Sequence, residues 1–564
     1  MNKKNNFSSI LKKSNNLTDI FEYYKKKFPE KKFLFKKNGD QWQGKTFQKI
    51  GLDITKILSS LKTLGIKKKD RVFLLSSNRI EWVEFDIAIM QLGGITVPSF
   101  VTNNSSDNDY IIKDCSPKVI VLENEKIYEK NKSFLKNFNQ SKIIIIEKSD
   151  KFLDYSSIIS RKTVKLFLPK LMRNEISTII YTSGTSGNPK GVVLSHKALL
   201  HNLFAALEII KEFNIHDERF ISFLPLSHSY ERMAGLYFPL LIGAEIFFCS
   251  SLDKLMKEIK EVKPSIFSGV PRLFENIFKK IKGQIKDSGK VKKLILSIIF
   301  NYVEDKNNSK FNDMLGKFLT KIFLEKKIKK TMGGNIKALI SGGAALNPQI
   351  GHFFNKVGFI LLQGYGQTEA APLISCNTRK FNDPKTVGFP VKDVKIKISK
   401  DNEILVMGNN VMDGYWGNKK LTNQTLKKNW LHTGDLGYFD KIGRLIINGR
   451  KKDLIVTSGG DNISVQKIEN MLTEKIGIIN AVIFGDNRPF LIALIFIERD
   501  TEEISVKHII EKINKSLNSF EKIRKFIIFK EKLSYENGFL TQTQKIKRKQ
   551  VFENYKKEID TLYN

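Results

Sequence analysis

Residues 181–191 read Tyr181-Thr182-Ser183-Gly184-Thr185-Ser186-Gly187-Asn188-Pro189-Lys190-Gly191, directly behind the apolar run Glu175 to Ile180. The run predicts a buried strand. Past Ser195 the pattern Leu199, Leu200, Leu203, Phe204, Leu207 predicts a helix. Between them lies a loop built for phosphate. Gly184 and Gly187 let backbone N–H groups approach anionic oxygens closely, and the hydroxyls of Thr182, Ser183, Thr185 and Ser186 add donors. Lys190 supplies a positive charge. The spacing GxxxxGK[ST] is absent, because Lys190 stands between Pro189 and Gly191. This is a phosphate loop of another type.

Working outward, short apolar runs at Arg71 to Leu75, Lys118 to Glu123 and Lys142 to Glu147 predict strands, and Glu81 to Leu92 predicts a helix. The alternation predicts α/β structure with largely parallel strands. From Asp383 to Asp440 the texture becomes short runs such as Val394 to Ile398 and Glu403 to Met407, separated by Gly, Asn and Asp. That predicts a β-rich subdomain over about 383–450. After the strand Gly443 to Gly449, the charged run Arg450-Lys451-Lys452-Asp453 marks the expected boundary between a large domain, 1–450, and a small one, 451–564.

Further motifs carry chemistry. Ser341-Gly342-Gly343-Ala344-Ala345-Leu346 follows the run Ile336 to Ile340, and its paired glycines allow close approach of a flat ring or a phosphate. Gln363-Gly364-Tyr365-Gly366-Gln367-Thr368-Glu369 follows Phe359 to Leu362. Tyr365, flanked by glycines, suits stacking, and the Glu369 carboxylate suits a hard cation. In Trp430-Leu431-His432-Thr433-Gly434-Asp435 the terminal carboxylate can accept from two vicinal hydroxyls.

Taken together, these motifs resemble the adenylate-forming superfamily of acyl- and aryl-CoA synthetases, luciferases and peptide-synthetase adenylation domains. The resemblance spans about Lys45 to Lys549. It implies layered α/β sheets in the large domain and a mobile α+β C-terminal domain. It implies that ATP or AMP is held by the residues 182–187, Lys190, Gly342, Gly343, Ala344, Gln363, Gly364, Tyr365, Gly366 and Thr368. Asp435 would hold the ribose, and Arg450 would add a ribose or phosphate contact. Mg²⁺ would sit at Glu369 and Thr182. Lys452 would be the hinge about which the C-terminal domain turns between half-reactions, and Ser458, Gly459 and Gly460 would line the CoA channel. Lys545, in Leu540-Thr541-Gln542-Thr543-Gln544-Lys545, would be the catalytic lysine, with Thr182, Glu369 and His228 beside it. Proline is absent at three positions where the family often carries it: Ala345, Asn409 and Gln542. Proline is scarce throughout, at 14 residues, so composition accounts for these losses.

Leu224-Pro225-Leu226-Ser227-His228-Ser229-Tyr230-Glu231-Arg232 and Ser268-Gly269-Val270-Pro271-Arg272-Leu273-Phe274-Glu275 resemble the long-chain fatty-acid–CoA ligase branch. By that resemblance His228 positions the substrate carboxylate, and Tyr230, Gly269 and Val270 belong to the acyl pocket. The substrates implied are a fatty acid, ATP and CoA. The neighbouring alternatives are a fatty acyl-AMP ligase and another acyl- or aryl-CoA ligase. The distant one is a non-enzymatic basic protein that binds membrane or nucleic acid.

Charge bears on that last alternative. The chain holds 95 Lys+Arg against 58 Asp+Glu, a net +37, which raises nucleic acid, anionic membrane and polyanionic substrates as partners. No nucleic-acid module is recognisable, so none is expected to bind. Only 4 of the excess charges fall after residue 450. Phe278 to Lys330 carries 15 basic and 5 acidic residues interleaved with apolar runs, and it is the candidate for anionic membrane contact. Most of the remainder is attributed to a lysine-rich composition. Three scattered cysteines, no secretory h-region and no apolar run near the roughly 20 residues of a membrane span predict a cytoplasmic protein, peripheral on the inner membrane face at most. Nothing in the motifs sets an oligomeric state.

Overall fold

The computed structural model describes residues 3–162, 166–182, 188–286, 290–303, 309–458, 462–475, 477–534, 537–540 and 546–563. The predicted loop residues Ser183, Gly184, Thr185, Ser186 and Gly187, the channel residues Gly459 and Gly460, and Lys545 lie outside them.

The largest sheet grows from strands whose side chains feed two cores. In Arg71–Leu75, Val72 and Leu74 pack into one buried cluster, and Phe73 and Leu75 into another. Val119–Leu122 divides in the same way. Successive residues point to opposite faces, so a strand apolar on both must be covered on both. Ile95–Ser99, Arg71–Leu75, Val119–Leu122 and Ile143–Ile145 lie side by side and parallel. Ile176–Thr182 adds to them in parallel. Lys190–Ser195 then runs antiparallel to it, with Thr182 opposite Lys190. The sequence pattern does not single out this last strand. Its pairing means that the two ends of the glycine-rich stretch are held together by a ladder.

Helix Ile80–Gln91, one residue off its predicted bounds, is buried on every side. Two of its three buried carboxylates, Glu84 and Asp86, survive full burial through partners. Glu84 accepts from Lys45 at 2.8 Å and Tyr155 at 2.6 Å. Asp86 pairs with Arg232 and accepts from Tyr237 at 2.8 Å. Arg232 also donates to Thr178 at 2.8 Å. The segment that follows His228 is thereby bolted to the central sheet.

A second sheet holds Ile266–Gly269, Ala338–Ser341 and Leu361–Gly366 in parallel, then Leu373–Cys376 antiparallel. The predicted β-rich region is an antiparallel sheet of Val394–Ile398, Glu403–Gly408, Trp430–Phe439 and Leu445–Arg450. Beyond it, Ile478–Phe484, Leu491–Ile497 and Ile523–Phe529 form a small mixed sheet. Helices Val465–Thr473 and Glu503–Asn514 cover one face through Ile468, Leu472, Val506 and Ile510. The architecture is mixed α/β with layered sheets, a β-rich region and a separate α+β C-terminal part. Among the described residues no helix is long and apolar enough to cross a membrane.

Candidate active site

Strand ends from three sheets meet around one cleft of about 2570 Å³. Thr182 and Lys190 come from the largest sheet. Tyr365 lies within Leu361–Gly366, and Thr368 and Glu369 follow it. Asp435 and Arg450 are cross-strand partners in the β-rich sheet. Thr182, Lys190, Tyr365 and Arg450 sit at or next to strand ends, and Asp435 lies next to an irregularity in its ladder.

The carboxylate of Asp435 is nearly buried and holds two donors. Tyr365 gives its hydroxyl to Oδ2 at 2.6 Å, and Arg450 Nε donates to Oδ1 at 2.7 Å. Asp435 beside the guanidinium raises the Arg450 pKa further. Burial and the same carboxylate hold the Tyr365 phenol well above its usual range. Arg450 therefore stays cationic and Tyr365 neutral, and Tyr365 donates.

Gly342 and Gly343 line the cleft as well. A Cβ on Gly342 would come within 2.9 Å of the Tyr230 ring, and Gly343 adopts φ +85°, so neither place accepts a larger residue without strain. Gln363 pins this turn: its Oε1 accepts from the Leu346 amide at 3.0 Å and its Nε2 donates to the Thr386 carbonyl at 3.3 Å. Ala344, Gly364 and Gly366 also line the cleft.

Glu369 faces the cleft and accepts from the Tyr415 hydroxyl at 2.9 Å. Lys190 Nζ stands 5.7 Å from the Tyr415 ring centroid. Its pKa is lowered, chiefly by burial and also by the nearby charge of Lys452. Two cations facing one cleft make a site that favours anions. The hydroxyl of Ser229 lies 3.1 Å from that of Thr368, which joins the His228 motif to the Thr368 motif. His228 Nδ1 accepts from the Tyr230 amide at 3.1 Å, so the neutral ring carries its proton on Nε2. Tyr230 donates to the carbonyls of Ile340 at 3.2 Å and Gly269 at 3.4 Å. The cleft also has an apolar lining, which includes Val270, Ala206, Ile209, Phe220, Met233 and Phe238.

Most of the predicted site residues within the described set therefore converge. Lys452 lines the cleft, and so do Ile546 and Lys547, the described neighbours of Lys545. Ser458 is exposed, and its amide is bonded to the Arg488 carbonyl rather than directed at the cleft. Tyr415 and Asp86 belong to none of the expected site residues, and Arg232, which ends the His228 motif, has no expected role there; all three matter through residues distant in the chain. The aromatic pair Tyr415-Trp416 behind Gly414 was the only local sign of the first.

Comparison with known proteins supplies the family. The AMP-binding enzyme family matches residues 21–416, and the AMP-binding enzyme C-terminal domain matches 452–564. The chain belongs to the AMP-binding enzyme family. Among its relatives is the long-chain-fatty-acid–CoA ligase FadD15 of Mycobacterium bovis, 30% identical over 93% of this chain and 93% of that protein. The human long-chain-fatty-acid–CoA ligase ACSBG2 is 27% identical, over 94% of this chain and 90% of its own length. In fold, the anthranilate CoA ligase AuaEII with anthranoyl-AMP superposes with a TM-score of 0.78 at 20% identity, covering 97% of this chain and 98% of that one. The adenylation domain of a carboxylate reductase from Mycobacterium chelonae gives 0.82 at 17% identity, covering 99% and 93%.

Proposed function

We propose that this chain is a long-chain fatty-acid–CoA ligase that forms acyl-AMP from ATP and then transfers the acyl group to CoA. The observation that carries the reading is the Ser229–Thr368 contact at 3.1 Å. It is the seam between a cationic, hydroxyl-rich half of the cleft and an apolar half. A fatty acid lying in the apolar half brings its carboxylate to that seam, against the phosphates of ATP.

In the first step a carboxylate oxygen attacks the α-phosphorus and the bond to pyrophosphate breaks. Thr182, Thr368 and Lys190 meet the phosphates, and His228 offers its Nε2 proton to a carboxylate oxygen. Lys545 supplies a charge shared between carboxylate and α-phosphate, stabilising the transition state. Asp435 and Arg450 hold the ribose and Tyr365 faces adenine. The oxygens of Glu369 and Thr182 are hard donors that suit Mg²⁺, which when bound would screen phosphate charge. In the second step the segment 451–564 turns about Lys452, Ser458 to Gly460 approach the cleft, and the CoA thiolate displaces AMP from the acyl carbon. The enzyme works in the cytoplasm, in peripheral contact with the membrane that holds its substrate.

The test is product formation with palmitate and benzoate. Pyrophosphate release with palmitate and a CoA ester only when CoA is added is the expected result. Pyrophosphate without any CoA ester would mean a fatty acyl-AMP ligase, and preference for benzoate an aryl-CoA ligase. No pyrophosphate with any fatty acid would end the enzymatic reading.

A further inference from the structure

Helix Pro271–Lys286 begins in the cleft wall, where Pro271, Arg272 and Glu275 line it. Its sixteen residues span about 24 Å at 1.5 Å each. Helices Lys290–Val303 and Lys310–Leu319 follow as a pair, and a widened turn, Thr320–Glu325, continues the second. This unit is firmly built into the body. Phe278 packs edge-on against Phe353 at 4.8 Å, and Ile299, Val303, Leu324 and Ile328 share a core with Phe353 and Phe354.

The second helix is apolar on two sides. Gly316, then Thr320 and Leu324 in the widened turn, and Ile328 in the helix Lys326–Thr331 that continues it, face inward and are buried. Phe311, Met314, Phe318 and Ile322, at i, i+3, i+7 and i+11, face outward. Phe311 and Met314 are each 66% exposed and Phe318 is 60% exposed. Phe323 and, on the first helix, Leu294 are also exposed. A contiguous uncovered stripe of this kind marks an interaction surface.

Its surroundings choose the partner. Lys317, Lys321, Lys326 and Lys330 are exposed beside the stripe, and residues 310–330 hold seven lysines against Asp313 and Glu325. A second copy of the same face would bring like charges together. An anionic bilayer satisfies both features: large apolar side chains enter the boundary of the acyl chains while lysines meet headgroup phosphates. We infer that Phe311, Met314, Phe318 and Ile322, with their flanking lysines, form a docking face for an anionic lipid surface. This rests on the long-chain reading above, and it names where the enzyme meets the phase that holds its substrate. Because the stripe's helical stretch shares a core with Phe278 and Phe353 beside the cleft wall, docking also orients the cleft relative to the bilayer.

The experiment is vesicle co-sedimentation of the full chain without ATP or CoA. Phosphatidylcholine vesicles containing phosphatidylglycerol are compared with pure phosphatidylcholine. Binding is expected to the first, with salt weakening it. The triple variant Phe311→Ser, Met314→Ser, Phe318→Ser and the pair Lys317→Glu, Lys321→Glu should each lower the bound fraction about tenfold. All these positions are exposed, so CoA-ester formation from albumin-delivered palmitate should stay at the wild-type rate. Equal binding by wild type and both variants would overturn the inference. So would a wild-type dimer that the serine variant dissociates, with no vesicle binding. Wild-type vesicle binding with no CoA ester from palmitate would instead overturn the ligase reading alone.

Discussion

Tyr365 and Asp435, 70 residues apart, are joined by a hydrogen bond of 2.6 Å, and Arg450 closes the same carboxylate from its other oxygen. The ring proposed to face adenine and the carboxylate proposed to hold the ribose are therefore one mechanical unit. Neither can move without disturbing the other.

Asp435→Ala should accordingly raise KM for ATP. Losing a charged hydrogen-bond acceptor costs about 1.5–3 kcal/mol, or roughly 10–100-fold in kcat/KM. Asp435→Asn, which still accepts, should lose less. Steady-state kinetics with ATP varied checks both, and an unchanged KM in the alanine variant would remove Asp435 from the nucleotide site.

Lys545→Ala separates the half-reactions. Adenylation, followed as pyrophosphate release, should fall by about 10²–10³-fold, as on removal of one preorganised group at a developing charge. Conversion of supplied acyl-AMP to the CoA ester should continue near the wild-type rate. Equal loss in both assays would contradict the assigned role.

The apolar end of the cleft predicts a change in chain-length profile. Ala206 lines it beside Ile209 and Phe220. Ala206→Phe should shorten the preferred fatty acid, lowering kcat/KM for palmitate about tenfold or more while sparing medium chains. That loss matches the 1–3 kcal/mol that a methylene or two can contribute in an apolar pocket. A uniform loss at all lengths would point to misfolding, which thermal denaturation would detect.

Glu231, next to the bolted Arg232, gives a pH prediction. Burial pushes its pKa up to about 8, although Oε1 accepts from Ser222 at 2.7 Å. Its Oε2 is buried without a partner, an arrangement that suits the protonated acid. In the unfolded chain the group ionises near its ordinary value of 4.5. The folded state thus binds the extra proton between about 4.5 and 8, and stability falls as pH rises through that window. Glu231→Gln should flatten this slope in urea denaturation at pH 5 and pH 8. An identical slope in both proteins would show that Glu231 does not set it.

Much of the site was legible because its parts are local. Glycines behind an apolar run, as at 341–343 or 364–366, announce close backbone approach wherever they occur. The helix at Ile80–Gln91 was readable to within one residue because eight of its twelve residues are apolar. The strand Lys190–Ser195 was passed over, since it sits between a turn-rich loop and a strong helical pattern. Only its ladder with Ile176–Thr182 defines it.

By itself the chain determined the α/β class, the β-rich texture of 383–450 and the inventory of groups that handle phosphate, ribose and carboxylate. Those depend on neighbours a few residues apart. The tertiary structure alone decided which of them meet. Ser229 reaches Thr368 across 139 positions, and Arg232 reaches Asp86 across 146. It also decided that one side of the helical stretch 310–328 is covered and the other is not. A helical pattern records which side chains are apolar. Whether each face finds a partner is settled only when the sheets and helices pack.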